Sequence, residues 1–329
     1  MRQVLHSSLI VLEVSMPRFR LFGYETLADL ELVTPMATST SETEPELIFT
    51  CRQAEPQPFA GRTLYLSPSL NASGDPAVQL FEIDDSTWLM RFPQIADFSL
   101  RQGEIECRLV DSSLAFMVDV LLLGHVMACY LEQQGVLALH AGALVIGDKA
   151  VLLAGHKGAG KSSMVSSMAA SGFPLMADDI AAVVGSDGAV LCRSAFPQVK
   201  LTPEQLERFA KGHHGAYPLF HPGFTKLSVP VADLGTFDLG PRRVGAIYLL
   251  ERGSGVRPTF ETLPPARAVV ELAQHAFLEH IIESTPIRRA RFEHLVRVAR
   301  AVPVRRLRYP NGFHHLADVH AAIVHDLGA

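Results

Sequence analysis

The stretch Gly155-His156-Lys157-Gly158-Ala159-Gly160-Lys161-Ser162 satisfies the pattern G-x-x-x-x-G-K-[ST], with Ser163 following it. Glycines let backbone N–H groups turn inward and wrap a phosphate chain, which bulky side chains would prevent. A helix starting near Lys161 points its positive dipole end at the same anion. Lys161 is then placed to reach the outer phosphates, and the Ser162 hydroxyl to hold Mg²⁺. Residues 155–163 are therefore expected to bind a nucleotide. A usual P-loop ATPase carries its Mg²⁺-binding aspartate at the end of a separate apolar strand, often followed by Glu. No run of four apolar residues followed by Asp-Glu occurs after the loop. Instead Asp178-Asp179 arrive one short helix later, in Gly172-Phe173-Pro174-Leu175-Met176-Ala177-Asp178-Asp179.

These groups need elements to hold them. The apolar run Val151-Leu152-Leu153 precedes the loop as a strand, and a helix over Ser162–Ser171 follows, stopped by Gly172 and Pro174. Upstream, a long helix over about Ser113–Gln134 ends at Gly135, and Val136–Ile146 reads as one strand. Downstream, Leu175–Ala177, Ile180–Val184 and Val190–Cys192 read as strands. Thr202 and Pro203 open a helix with an N-cap and proline at its first position. Val244–Leu250 is apolar enough to be buried on both faces. Helices over Ala266–Ile282, Pro286–Ala301 and Leu316–Leu327, with a strand at Val304–Leu307, complete an α/β part. From Phe19 to Val110 the chain reads instead as short strands between turn-rich pieces, with a Ser/Thr/Glu-rich loop at Thr34–Pro45. The expected organisation is a β-rich, antiparallel portion over residues 1–112 and an α/β portion over 113–329.

Composition narrows the function classes. With 329 residues, 48% apolar and 19% charged, the chain has ample material for a packed core and is not disordered. A net charge of −5 argues against nucleic acid as partner. Four scattered cysteines without C-x-x-C exclude a disulfide framework or a cysteine-rich zinc module and fit a reducing cytosol. The run Ser8–Leu12 is too short for a signal segment, being broken by Glu13. The window Ser113–Leu131 could span a bilayer by length, but Asp119 and His125 are expensive in lipid, so a buried helix is expected. The expectation is a cytoplasmic protein that does not enter a membrane.

Leu139-His140-Ala141, the loop Gly155–Ser163 and the Gly172…Asp178-Asp179 element together resemble the catalytic core of the HPr kinase/phosphorylase family, which includes lasso-peptide tailoring kinases. The resemblance covers about Gly135–Val184 and extends weakly through Pro197–Leu201 into Ala246–Leu250. It implies a P-loop kinase core of the phosphoenolpyruvate-carboxykinase/HPr-kinase type, with ATP and Mg²⁺ as cofactors. It also implies γ-phosphate transfer to a serine hydroxyl of a peptide, protein or small molecule. Carried over by position, Lys161 neutralises the transferring phosphate, Ser162 coordinates Mg²⁺ and His140 lies near the phosphates. Neighbours on an extended chain point to opposite faces, so Asp178 and Asp179 cannot both address one atom unless the backbone bends. Asp178 is assigned as the base and Asp179 as a metal or supporting ligand. Lys157 stands where relatives commonly carry serine. Between Asp179 and Glu204 the only acid is Asp187, in a turn, so reverse phosphorolysis is not expected. The competing reading is a nucleotide-binding switch without a phosphoacceptor. Oligomeric state is open, a homo-oligomer included.

Other constellations are set aside. His213-His214 and His221 have no metal-ligand partners at helical spacing, and His314-His315-Leu316-Ala317-Asp318 is one residue short of a condensation motif. Lys226 is either a phosphate contact or a solvated strand lysine. Eight arginines from Arg288 to Arg308 face one acid, Glu293, either as a solvated helix face or as a basic stripe for an acidic group.

Overall fold

The computed structural model describes residues 16–328 except 31, 57, 187, 211–216, 220, 222 and 256. The run Ser8–Leu12, Asp187 and the pair His213-His214 lie outside the described residues.

The chain builds two large sheets. The first holds β1 (Arg18–Leu21), β2 (Tyr24–Ala28), β3 (Ala37–Thr38), β4 (Leu47–Gln53), β5 (Arg62–Leu66), β6 (Gln79–Glu82), β7 (Trp88–Phe92), β8 (Ala96–Arg101) and β9 (Glu104–Leu109). Its order is β3-β1-β2-β4-β9-β8-β7-β6-β5. The antiparallel expectation needs correction here, because β2 with β4 and β4 with β9 pair in parallel. Parallel neighbours need a long crossover. The 29–46 connection supplies one, and the hairpins β5 to β8 supply the other. Cys51 and Cys107 face one another across β4 and β9 as free thiols.

A helical segment follows: α1 (Phe116–Leu121), a wider π-turn (Leu122–Val126) and α2 (Met127–Gln133). The window Phe116–Gln133 is long and apolar enough to cross a bilayer by length and composition, yet 72% of it is buried inside the protein. It packs in one apolar cluster with Phe49, Met90 and Phe98 of the first sheet and Leu139 and Ala177 of the second. The two sheets thus share a core.

The second part contains β10 (Leu137–Leu139), β11 (Ala141–Ile146), β12 (Lys149–Ala154), α3 (Lys161–Ala170), β13 (Leu175–Ala177), β14 (Ala181–Ser186), β15 (Ala189–Arg193), β16 (Gln198–Leu201) and α4 (Pro203–Phe209). It continues with β17 (Leu227–Pro230), β18 (Arg242–Gly253), β19 (Thr259–Thr262), α5 (Pro265–Gln274), α6 (Glu279–Glu283), α7 (Arg288–Ala301), β20 (Val304–Pro310) and α8 (Leu316–Asp326). The mixed sheet runs β10-β14-β15-β18-β12-β11-β13, with β20 beside β18 and β19 beside β20. Val151–Leu153 and Ala246–Tyr248 are parallel neighbours at its centre, as their apolar runs require. A second apolar cluster, with Met164, Val165, Tyr248 and Ile323, fills the face covered by α3 and α8.

Two expected elements are interrupted for the same reason. The strand over Val136–Ile146 breaks at His140, and the helix over Ala266–Ile282 breaks at His275–Leu278. The backbones meet at the breaks: His140 N–H donates to His275 C=O at 2.7 Å, and Phe277 N–H to Ala138 C=O at 2.7 Å. Leu278 adopts a left-handed φ of 55° as the chain turns into α6.

The arginine stretch divides: Arg288, Arg289, Arg297 and Arg300 are exposed on α7, while Arg291 and the β20 arginines pair with acids of other elements. Arg291 is buried against Glu132 at 3.5 Å, Arg305 pairs with Asp326, and Arg306 reaches Glu251, Glu261 and Glu271.

β11 packs directly on α3 through Gly142, where an added Cβ would sit 2.3 Å from Val165 Cγ2. Gly142→Ala should therefore lower stability by about 1–3 kcal/mol through overpacking, read as a lower denaturant midpoint with unchanged slope. An unchanged midpoint would show that β11 and α3 are not in this contact.

Candidate active site

The sheet order brings the chemistry to one edge. β12 and β13 both run antiparallel to β11, which lies between them. Hence the C-terminal ends of β12 and β13 and the N-terminal end of β11 share that edge. Gly155 follows β12, Asp178-Asp179 follow β13 and His140 precedes β11.

The loop closes through glycine at two places. Gly158 has φ 89° and Gly160 φ 93°, in the region that side chains rarely adopt. A Cβ on Gly160 would also collide with the Tyr309 hydroxyl at 2.3 Å. That hydroxyl donates to Ala159 C=O, pinning the loop from β20. Lys161 is the first residue of α3 and is only 7% exposed.

Lys161 Nζ donates to Asp179 Oδ1 at 2.6 Å, and Lys200 Nζ lies 3.4 Å from Asp179 Oδ2. Burial would raise the Asp179 pKa, but the ammonium groups of Lys161 and Lys200 outweigh it and hold the carboxyl well below the usual range. His140 Nδ1 lies 3.6 Å from Asp179 Oδ1. Burial, reinforced by Lys161, pushes the His140 pKa down to about 4, so the ring is neutral at pH 7 and this approach is not an ion pair. Asp178 sits differently. Its Oδ2 accepts Lys200 N–H at 2.9 Å, its Oδ1 has no hydrogen-bond partner among the described residues, and burial raises its pKa.

A cavity of about 670 Å³ opens over the loop, lined by the 155–163 segment except Ala159, and by His140, Asp179, Lys200, Gln205, Lys226 and Arg252 among others. Asp179 faces this cavity; Asp178 lies behind it, on a smaller slot. Lys226 Nζ comes within 3.4 Å of Ser162 Oγ, which joins it to the loop. Gln205, held by the Thr202 capping box, donates to Ser163 Oγ at 2.8 Å. Lys200, Gln205 and Arg252 were not evident from sequence. Their signal is positional only, since Lys200 and Gln205 flank a short strand-to-helix turn and Arg252 ends the central strand. A larger open cleft, about 760 Å³, lies between α3, α4 and α8, but it holds neither the loop glycines nor the aspartates. Among the described residues no cluster of three or more His, Cys, Asp or Glu could hold a metal.

Burial also pushes the pKa values of His275, His294 and His320 down to about 4. Unfolded, these rings and His140 take up protons near pH 6.5; folded, they do so only near 4. The unfolded chain binds more protons between those values, so stability falls as pH drops from 6.5 toward 4. Thermal unfolding at half-unit pH steps should show the midpoint declining over that window. A constant or rising midpoint would contradict the burial of these rings.

No family model matches the chain, and no curated protein matches it. Among solved structures it is similar to the HPr(Ser) kinase/phosphatase from Coxiella burnetii, with 14% identity over 58% of this chain and 97% of that chain and a TM-score of 0.31.

Proposed function

We propose that this chain binds ATP with Mg²⁺ over the Gly155–Ser163 loop and transfers the γ-phosphate to a serine-type hydroxyl on a peptide, protein or small molecule. The observation that carries the reading is one cavity holding both the phosphate-type loop and an ionised carboxylate, Asp179, tied to the loop lysine. Among the described residues, five cations line that cavity (Lys157, Lys161, Lys200, Lys226 and Arg252) against the single carboxylate of Asp179. Such an excess of positive charge suits a polyphosphate.

The donor set also suits Mg²⁺. Ser162 offers an oxygen atom on the cavity wall, and a Mg²⁺ ion typically takes one or two protein oxygens with phosphates and waters. When bound, Mg²⁺ would neutralise charge on the transferring phosphate. Lys161 and Lys200 hold the phosphate oxygens, and Asp179 takes the proton of the attacking hydroxyl. In the transfer the hydroxyl oxygen forms a bond to the γ-phosphorus, the bond to the β-phosphate oxygen breaks, and ADP leaves. A phosphate that shares the Lys161 ammonium relieves its hold on Asp179 and raises the basicity of that carboxylate. Base strength is then coupled to nucleotide binding. The cavity-facing position favours Asp179 as base over Asp178, whose carboxylate supports the Lys200 backbone instead.

Lys161→Ala should abolish measurable MgATP binding by calorimetry in a protein that remains folded; unchanged affinity would remove the loop from nucleotide binding. Asp179→Asn should lower transfer from labelled ATP by about 10²–10⁴-fold, the usual contribution of a positioned base. Asp178→Asn should change transfer far less and reduce thermal stability instead. If Asp178→Asn carries the large rate loss, the two roles exchange. If both variants keep full transfer, neither aspartate is the base; if the parent binds MgATP but transfers to no hydroxyl acceptor, the chain is a nucleotide-binding switch.

A further inference from the structure

Cys51 of β4 and Cys107 of β9 are direct neighbours in the parallel ladder of the first sheet, and both are free thiols. Residues in register on parallel strands point to the same face. Cys51 keeps step with the buried Leu47 and Phe49, and Cys107 with the buried Ile105 and Leu109, so both thiols turn toward the core. Adjacent strands lie about 4.7–4.9 Å apart, inside the roughly 4.4–6.8 Å between Cα atoms that a disulfide spans. The register alone brings the two sulfur atoms within reach of one another.

Contacts on both sides of β4 hold that register. On the opposite face Arg52 reaches across to Glu106 of β9 at 2.5 Å, and Arg108 flanks the same carboxylate at 3.3 Å. On the other edge of the strand, Cys51 N–H donates to Asp29 Oδ1 at 2.8 Å. The cysteines cannot part without breaking these bonds.

The two thiols are not equivalent. Cys51 is half-buried, where β4 runs out into the exposed Arg52 and Gln53, whereas Cys107 is wholly buried. The hydrogen bond between them lowers the Cys51 pKa and, together with burial, raises that of Cys107. An accessible, more acidic thiol beside an enclosed one suits an attacking and a resolving cysteine. Cys129 and Cys192 are wholly buried, and burial raises both of their pKa values. They serve as internal controls.

We propose that Cys51 and Cys107 are a reversible modification site, a dithiol that closes to a disulfide in reaction with a small hydroperoxide. The Cys51 thiolate attacks one peroxide oxygen, the O–O bond breaks, and the alcohol or water leaves with the Cys51 proton. Cys51 is then a sulfenic acid. The Cys107 sulfur attacks the Cys51 sulfur, the S–O bond breaks, and hydroxide leaves as water with the Cys107 proton. Together the two thiols lose two electrons and the peroxide gains them. A thiol reductant reopens the bond by exchange. Neither cysteine lines the nucleotide cavity, so this site stands apart from the proposed kinase activity.

The test uses the full, reduced chain, hydrogen peroxide, and a maleimide that labels free thiols after unfolding in denaturant. The untreated chain takes four labels, one per cysteine. Peroxide-treated chain should take two, and its non-reducing peptide map should link the segments carrying Cys51 and Cys107. Dithiothreitol should restore all four labels. Cys107→Ser removes the resolving thiol, so peroxide added with dimedone should leave a dimedone adduct on Cys51. Cys51→Ser should keep every remaining label after peroxide. The parent's map decides the pairing even where a variant fails to fold. Four labels after peroxide, a link to Cys129 or Cys192, a link between two chains, or irreversible oxidation of Cys51 without a link each overturns the site. Label loss in a folded Cys51→Ser chain, or no adduct in a folded Cys107→Ser chain, overturns the assignment of Cys51 as the attacking thiol.

Discussion

A lysine ammonium at the first turn of a helix, almost removed from water, is doubly unfavourable. It loses hydration, and it sits where the helix dipole is already positive. Lys161 is in that position, and the Asp179 carboxylate is the group that makes it tolerable. Everything around the cavity follows from keeping those two together. β13 must lie across β11 from β12, the turn after β13 must expose Asp179 and retract Asp178, and Lys200 must approach from β16 to share the carboxylate. A pair held so tightly is stable while alone and ready to be divided by a competing anion.

The loop, its flanking strand and helix, and the capped start of α4 were all legible from the sequence. Each is encoded by neighbours in the chain: glycine spacing, an apolar run, a threonine before proline. That Val151–Leu153 and Val244–Leu250 belong to one central sheet was legible as well, from their apolar runs, whereas their being parallel neighbours was not. What could not be read was partner choice. Alternating residues in β2, β4 and β9 report a half-buried strand equally well whether the neighbour is parallel or antiparallel. The breaks at His140 and His275–Leu278 were hidden for a related reason. Apolar periodicity continues through both, while the backbone hydrogen bonds leave for another element. The division of labour between Asp178 and Asp179 was likewise beyond the sequence, which shows that the two differ but not which faces the cavity.

The arginine stretch illustrates how charge density misleads when read in one dimension. Five of its arginines lie on α7 and three on β20, and the acids that answer Arg291, Arg305 and Arg306 come from β18, β19, α2, α5 and α8. The resulting network ties the outer strands of the second sheet to their covering helices. Arg291 differs from the rest because it is buried. With Glu132 it forms a pair at 3.5 Å, and burial raises the Glu132 pKa to about 7. Removing either partner would strand the other away from water, a loss of about 3–5 kcal/mol. This pair ties α7 to α2.

The hydrogen bond from Tyr309 to Ala159 joins residues 150 positions apart. During synthesis the glycine loop leaves the ribosome long before the strand that pins it. β18, the parallel neighbour of β12, and β20, the parallel neighbour of β18, also emerge late. Contacts of such long sequence separation close slowly. The nascent chain therefore carries an unpinned loop beside half-finished strands until Tyr309 has been made. The shape of the glycine loop is in this sense completed only after Tyr309 has been made, and a chain that stops before it lacks the hydrogen bond that pins the loop.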